Sequence, residues 1–295
     1  MEQPEDRNYY LGVFEEPVAE LNVKNVTKLG PNRRIWSYKE HPYEWNGDSS
    51  TITQWHVNKI DLSLERGKSI SLAEFGIKGD MGEPAFYADS VAFFFALREG
   101  KIVEFNPESM TITKTHAVAP IEFDGYDEGA WYDAWNKYVL RDKIVMPIGF
   151  IAGANWALPE GAMVAVFEPA KLELTYHVDR RLQSCFYISP RDGDTLYIVP
   201  GYSLDAEAHY ASLEAPLPTQ NLLRLTTDGS FDQDFQLDLG AALDDPLAVY
   251  DVISVIDQRA LVLWREGDGW PDDPQNRFDT FYEEVRYSVV DIRTE

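Results

Sequence analysis

A strand, a tight turn and a second strand recur along this chain, and this repeat constrains its fold more than any other feature. The unit occurs at residues 56–67, 101–112, 163–174 and 222–231, and a fifth first strand lies at 286–292. The copies align on five strand-end positions that are separated by 45, 62, 58 and 65 residues: Asp61, Asn106, Glu168, Thr226 and Asp291. Repeats of this length, built from short alternating strands, are typical of the four-stranded blades of a β-propeller.

The strand-end positions carry turn chemistry. Four of the five are Asp, Asn or Glu, and Pro follows two of them. An acidic or amide side chain satisfies the backbone N–H groups of its own turn, and Pro presets φ for the next residue. We therefore interpret these acidic residues as structural rather than catalytic.

The repeat predicts an all-β protein with a single β-propeller domain over residues 1–295. Candidate inner strand pairs at 83–97, 184–199 and 252–264 give about five blades. Six blades are also compatible with the pattern, and a sandwich of two packed sheets is the rival fold. Three long loops are expected at 41–48, 202–219 and 266–279.

The last blade lacks a fourth strand in the sequence. The N-terminal run Tyr9–Phe14 is the candidate to supply that strand and close the ring. Pairing with the strand that ends near Asp291 removes an exposed sheet edge, which is a hazard for aggregation. We therefore expect a ring closed by an N-terminal strand.

Charge restricts the partners of this protein. Lys and Arg number 26 against 50 Asp and Glu, which gives a formal net charge of −24. A field of this sign repels phosphate backbones and anionic membrane surfaces, so we expect no nucleic-acid partner. It suits cations, carbohydrates and neutral polar ligands.

The sequence predicts no transmembrane segment, because no apolar run approaches the length that spans a bilayer. The N-terminus is polar and acidic, so it is not a signal peptide as it stands. A leader removed from a longer precursor is compatible with the same sequence. Cys185 is the only cysteine, so no disulfide forms within the chain.

Motifs for nucleotide binding and for an activated serine nucleophile do not occur in the sequence. The five histidines are scattered, without the close spacing of a His-x-His or His-Glu-x-x-His motif. No cofactor is predicted, and catalytic residues and metal ligands stay unassigned. An oxygen-ligated cation site within 268–279, and a catalytic carboxylate pair drawn from different blades, both stay open.

Residues 122–135 hold the densest cluster of functional side chains, with five carboxylates, two Tyr and two Trp. Carboxylates beside aromatic faces suit a sugar or a cation. In a propeller, the loops that enter the innermost strand and those that join the second and third strands open on one face. This topology predicts one ligand-binding surface formed by Asp124, Asp127, Trp131, Asp133, Trp135, Trp156, Arg180, Tyr202 and His209.

Several stretches between Trp131 and Leu263 carry a resemblance to a known family, namely 135–147, 163–169, 178–181, 189–197, 222–225 and 229–235. They resemble bacterial β-propeller lipoproteins of unknown function, which are often encoded beside siderophore and TonB-dependent uptake genes, including relatives associated with myxochelin iron transport. The resemblance implies a non-enzymatic role in siderophore or iron uptake at the cell envelope, in the periplasm or at the outer membrane.

This chain departs from that family because it is short and lacks the lipobox cysteine that carries the anchor. Its net negative charge conflicts with an anionic ferric catecholate ligand, so a neutral or cationic complex fits better. Arg180 and Arg181 could still form a local cationic patch. We therefore predict a ligand- or partner-binding propeller that takes a metal complex, a glycan or an envelope protein. The alternatives are a carbohydrate-active enzyme that uses channel carboxylates, and a scaffold that binds protein on one ring face.

Overall fold

The repeat forms a series of antiparallel sheets in the computed structural model of the chain. The structure describes residues 9–14, 23–30, 33–58, 60, 63–77, 84–119, 137–148, 150–151, 155–156, 162–182, 186–188, 193–200, 221–244, 249–265 and 286–293. The chain divides into two compact units, Met1–Ile121 and Glu122–Glu295. Within the described ranges, no helix is long and apolar enough to cross a membrane.

The first unit contains a β-hairpin and two four-stranded sheets. Its strands are, in chain order, β1 (Tyr9–Phe14), β2 (Val23–Gly30), β3 (Arg33–Tyr38), β4 (His41–Asn46), β5 (Thr51–Val57), β6 (Leu64–Ser71), β7 (Ala85–Ala88), β8 (Val91–Ala96), β9 (Lys101–Asn106) and β10 (Thr111–Ala117). Strands β1 and β2 pair with each other. Strands β3–β6 form sheet 1 and β7–β10 form sheet 2, and in both sheets each strand pairs with its neighbour in sequence.

The second unit contains three sheets. Its strands are β11 (Tyr138–Leu140), β12 (Lys143–Ile148), β13 (Phe150–Ile151), β14 (Asn155–Trp156), β15 (Ala162–Glu168), β16 (Glu173–Asp179), β17 (Phe186–Ile188), β18 (Leu196–Pro200), β19 (Asn221–Leu225), β20 (Phe231–Asp238), β21 (Val249–Ile256), β22 (Arg259–Arg265) and β23 (Arg286–Asp291). Sheet 3 has the order β11-β12-β15-β16, sheet 4 the order β13-β14-β17-β18-β19-β20, and sheet 5 the order β21-β22-β23. A short helix, α1 (Leu239–Ala242), begins after Asp238, whose carboxylate accepts a hydrogen bond from the Ala241 N–H (3.1 Å).

The packing of sheet 4 explains why the strands carry long apolar runs. Successive residues of a strand point to opposite faces. Ile198 and Leu223 belong to the core shared with sheet 3, whereas Val199 and Leu222 belong to the core shared with sheet 5. All four side chains are fully buried, and each such burial contributes roughly 1.5–3 kcal/mol. A strand buried on both faces has no polar alternation, which is the pattern that the sequence shows here.

Sheets 1 and 2 share an aromatic core. Tyr43 and Trp45 of β4 are each 1% exposed, and the ring of Trp36 stacks on Tyr43 with centroids 6.0 Å apart. The expectation of a long loop at 41–48 is therefore wrong, because His41–Asn46 is a strand in the middle of sheet 1. The Pro in this segment and the Asn-Gly-Asp at its end are typical of a loop. The burial of aromatic side chains at alternate positions, Tyr43 and Trp45, stabilises a strand instead.

The strand-and-turn units at 101–112, 163–174 and 222–231 and the strand at 286–292 are confirmed, whereas in the first unit β5 ends at Val57 and β6 begins at Leu64. Asn106, Glu168 and Asp291 are the last residues of β9, β15 and β23, and Thr226 directly follows β19. The Asn106 side chain accepts a hydrogen bond from the Ser109 N–H (2.9 Å), which is the turn chemistry expected of this position. Asp61, the first of the aligned positions, lies outside the described residues.

The three predicted strand pairs are also confirmed, as β7–β8, β17–β18 and β21–β22. Their inner position in a ring stays a prediction. The turn between β21 and β22 consists of Asp257 and Gln258, both at positive φ (49° and 57°), which matches the twist of a two-residue hairpin. Sheet 5 has three strands among the described residues, as the last repeat predicted.

Ring closure by the N-terminus is not found among the described strand pairs. Strand β1 pairs along its whole length with β2, whereas sheet 5 ends at β23. A partner close in sequence has the smaller loop-closure entropy cost, which favours the local hairpin. The number of blades, and the interpretation of residues 1–295 as one domain, stay predictions.

Candidate functional site

Most of the predicted site residues lie in connections that the structure does not describe. These residues are Asp124, Asp127, Trp131, Asp133 and Trp135 in 120–136, and Tyr202 and His209 in 201–220. The backbone of Trp156 lies in β14. Arg180 is described: it follows the last residue of β16 and is exposed to solvent. Convergence of these side chains on one surface stays a prediction.

The strand ends that flank these connections share a position in the fold. Because all neighbouring strands of sheet 3 are antiparallel, β11 and β15 begin at the edge where β12 and β16 end. The same relation holds in sheet 4 for the starts of β17 and β19 and the ends of β18 and β20. We call this edge of the two sheets the connection edge. The connections 149–161, 180–185 and 201–220 all leave from it.

The opposite edge of the same sheets carries two described tight turns that meet each other, and we call it the turn edge. It holds the turn of Arg141 and Asp142 in sheet 3 and the turn 226–230 in sheet 4. Lys143, next to the first turn, donates a hydrogen bond to the Asp228 carbonyl of the second (3.2 Å) and forms an ion pair with Glu168 (3.2 Å). The turn edge is thus occupied by contacts that hold sheet 3 against sheet 4.

The first unit repeats this turn-edge contact. The Lys39 ammonium, in the turn between β3 and β4, forms an ion pair with Glu108, in the turn between β9 and β10. Beside it, the buried Tyr43 hydroxyl donates a hydrogen bond to the Pro107 carbonyl (3.0 Å) and accepts one from Gln54 (3.1 Å). A lysine clasp between consecutive sheets therefore occurs in both units, at equivalent turns.

Arg181 ties the two sheets together at the connection edge. Its backbone carbonyl accepts a hydrogen bond from the Asn221 side chain at the start of β19 (3.1 Å). Its guanidinium donates to the Asp179 carboxylate through Nε (3.0 Å) and Nη2 (2.7 Å). It also donates to the carbonyls of Asp232 and Phe235 in β20 (both 2.9 Å). One residue, through its backbone carbonyl and its guanidinium, therefore links the end of β16 to two strands of the next sheet.

The backbone carbonyls that Arg181 contacts lie in an irregular part of the β19–β20 ladder. Its register shifts between Leu223 and Leu225, so the residues of β20 that face Arg224 are not in regular pairs. Arg224 forms an ion pair with Asp232 (2.6 Å), and its guanidinium lies over the Phe235 ring, 4.5 Å from the centroid. Such a bulge frees backbone carbonyls, which the Arg181 guanidinium then uses.

The electrostatics of this edge favour fixed charge over proton transfer. Burial by itself raises the pKa of Asp179, but the hydrogen bonds from Arg181 and Gln233 outweigh it and hold this pKa below its usual value. The Arg224 hydrogen bonds likewise lower the pKa of Asp232. A carboxyl group that acts as a general acid needs a raised pKa. These two carboxylates therefore position the guanidinium groups and do not supply protons.

Potential metal ligands are the next feature of the site. Among the described residues, no three His, Cys, Asp or Glu side chains are grouped closely enough to hold a metal ion. The predicted cation site at 268–279 lies outside those residues. Sequence analysis named Arg181 only as part of a cationic patch and missed its contacts. The signal was present locally, because Asp179 and Arg181 are two residues apart at a strand end.

Comparisons with known proteins identify no family. No family model matches this sequence, and no curated protein is significantly similar to it. Two similar solved structures are Saccharomyces cerevisiae Sqt1 and Kuenenia stuttgartiensis hydrazine synthase. Sqt1 has 12% identity and a TM-score of 0.49, with 90% of this chain and 65% of that chain covered. Hydrazine synthase has 10% identity and a TM-score of 0.49, with 92% and 77% covered.

The chain thus spans just under two thirds of the length of the Sqt1 chain. At these TM-scores, neither likeness supports a conclusion about fold or function. The fold assignment depends on the sheets themselves.

Proposed function

We propose that this protein is a ligand- or partner-binding β-propeller whose binding surface lies at the connection edge of sheets 3 and 4. One observation carries the proposal: the two edges of these sheets are built differently. The turn edge is occupied by tight turns and by the Lys143 clasp, while the connection edge holds long connections anchored at Arg181. Rigid strands that present long loops at one edge are a common basis for binding sites.

The exposure of one side chain in β23 supports the propeller assignment. Aligned on Asp291, Tyr287 corresponds to Ile102, Val164 and Leu222, which occupy the same position in the next-to-last strands (β9, β15 and β19) of sheets 2, 3 and 4. Those three side chains are 0% exposed, whereas Tyr287 is 67% exposed. Each of the other four sheets has a strand paired beyond its third strand. We propose that β1, which uses one edge for β2, supplies this fourth strand to sheet 5 and closes a five-bladed ring.

The cellular role extends the same proposal. The resemblance to propeller lipoproteins of siderophore and iron uptake supports a non-enzymatic role at the bacterial envelope, in the periplasm or at the outer membrane. The net charge of −24 favours a neutral or cationic ligand, such as a metal complex or a glycan, over an anionic one. The exposed Arg180, beside the Arg181 anchor, supplies local positive charge for a polar group of that ligand.

A binding experiment tests this proposal. Thermal-shift screening with ferric siderophores, metal ions and glycans identifies a ligand, and calorimetry then compares the wild type with Trp131→Ala. Removing an aromatic anchor typically costs about 2 kcal/mol of binding, so we expect the dissociation constant to rise more than tenfold. Tyr176→Ala, an aromatic truncation on the outer strand β16, is the control and should leave affinity unchanged.

Two results would contradict the proposal. If Trp131→Ala and Asp127→Ala both bind the ligand as the wild type does, the surface is assigned wrongly. If a glycan from the screen is hydrolysed by the wild type, and Asp127→Ala removes that hydrolysis, the protein is a carbohydrate-active enzyme.

A further inference from the structure

Two of the scattered histidines meet on sheet 1, in the first unit. The imidazole rings of His41 and His56 lie edge to face, with centroids 5.0 Å apart and planes at 89°. His41 opens β4 and His56 is the penultimate residue of β5. The contact belongs to the first unit, and the proposed function does not use it.

Strand register brings this pair together. Tyr43 lies opposite Gln54 in the β4–β5 ladder, and continuing that register by two residues sets His41 opposite His56 on the same face. His56 in turn lies opposite Glu65 in the β5–β6 ladder. Two imidazoles therefore face each other on neighbouring strands, and Glu65 follows on the third strand without completing a group of three metal ligands.

The backbone around His56 leaves room for its ring. A Cβ atom at Gly67 would lie 2.6 Å from the His56 Nε2 atom and 2.9 Å from the Gln54 carbonyl oxygen. Any side chain at this position would displace the imidazole. The glycine therefore permits the placement of His56 beside His41.

One ring nitrogen of the pair lacks a hydrogen-bond partner among the described residues. It is the Nδ1 atom of His41, which is buried. An imidazole nitrogen without a hydrogen-bond partner can offer its lone pair to a metal ion. The Glu65 carboxylate is exposed, and its contact with the Asn58 amide is long, at 3.5 Å.

We propose that His41 and His56 form a binding site for a divalent transition-metal ion. Imidazole nitrogen is the ligand type that Cu²⁺, Ni²⁺ and Zn²⁺ prefer, and affinity for such sites rises toward Cu²⁺. Two histidines leave coordination positions open, so the site binds more weakly than a closed four-ligand site. The protein's net charge of −24 raises the local concentration of cations.

Calorimetry of the full chain with Cu²⁺ and with Zn²⁺ tests this site. We expect saturable binding of one ion, tighter for Cu²⁺ than for Zn²⁺, with Mg²⁺ in excess failing to compete because it prefers oxygen ligands. His41→Asn and His56→Asn should each raise the dissociation constant at least tenfold. His177→Asn, in the exposed outer strand β16, is the matched control and should bind as the wild type does.

A spectroscopic measurement on the wild-type protein tests the site without depending on whether a variant folds. The electron paramagnetic resonance spectrum of the Cu²⁺-loaded protein should show coupling to imidazole nitrogen. A spectrum with oxygen ligands alone would overturn the site. So would unchanged Cu²⁺ affinity in both histidine variants, or competition by Mg²⁺, which would indicate adsorption to surface carboxylates.

Discussion

At the scale of single residues, Gly229 shows how backbone conformation and packing combine in one position. It lies in the turn between β19 and β20 with a φ of +89°, which disfavours residues that carry a Cβ. A Cβ there would lie 2.7 Å from the Val166 side chain of sheet 3. The turn can therefore reach the Lys143 clasp only because it has no side chain at this point.

We expect Gly229→Ala to destabilise the protein by about 1–3 kcal/mol, because overpacking adds to backbone strain. Gly193→Ala is the matched control: Gly193 also has positive φ (+60°), but nothing lies within 4 Å of its Cβ position. The control should show the strain alone and therefore the smaller loss. Urea denaturation measures both, and equal losses would mean that the contact with Val166 contributes nothing.

At the scale of elements, much of the fold could be predicted, because strands and tight turns are encoded by neighbouring residues. The turn after Asn106 follows from local rules, because the Asn side chain accepts a hydrogen bond from the N–H of its own turn. Strand β4 could not be predicted, because Pro42 and the turn residues after Asn46 conceal the alternation of Tyr43 and Trp45.

The functional groups were harder to predict from the sequence. The contact between His41 and His56 depends on register across a hairpin, and neither residue carries a motif. The contacts of Arg181 depend on a bulge in β20, which leaves no clear signature in the sequence. The predicted surface at 124–135 depends on long connections, whose sequences carry little information about position.

The N-terminal hairpin gives a prediction at this scale. If β1 supplies the fourth strand of sheet 5, deleting residues 1–14 exposes the edge of β23 and promotes association. We expect oligomers in light scattering coupled to size exclusion. Adding Val289→Lys, which places a charge on a strand position that is 66% exposed, should restore the monomer.

A second deletion separates closure from loss of the hairpin alone. Removing residues 1–32 takes away β1 and β2 together, so no unpaired β2 is left behind. If closure is correct, this variant also associates. A monomer with the melting temperature of the wild type would show that β1 serves only β2.

At the scale of the whole molecule, the repeat extends from sheet 1 to β23, the last described strand. A ring of repeated sheets is expected to unfold as one cooperative domain. We therefore expect a single calorimetric transition, with equal calorimetric and van't Hoff enthalpies.

Limited proteolysis examines the same point at the boundary between Ile121 and Glu122. Under the one-domain prediction, a cut in 120–136 does not release pieces that remain folded. Two fragments that each keep a cooperative transition of their own would show that the chain consists of two independent domains.

The unequal edges of sheets 3 and 4 have a consequence for how such a protein changes over time. Substitutions at the turn edge can break the Lys143 contacts between sheets 3 and 4, so we expect selection for stability to remove them. Residues 201–220 end at β19, whose first residue already contacts Arg181, so we expect their length and sequence to vary with little effect on the strands. Related chains can thus diverge in what they recognise while retaining the same strands, and foreign recognition segments can be grafted at the same positions.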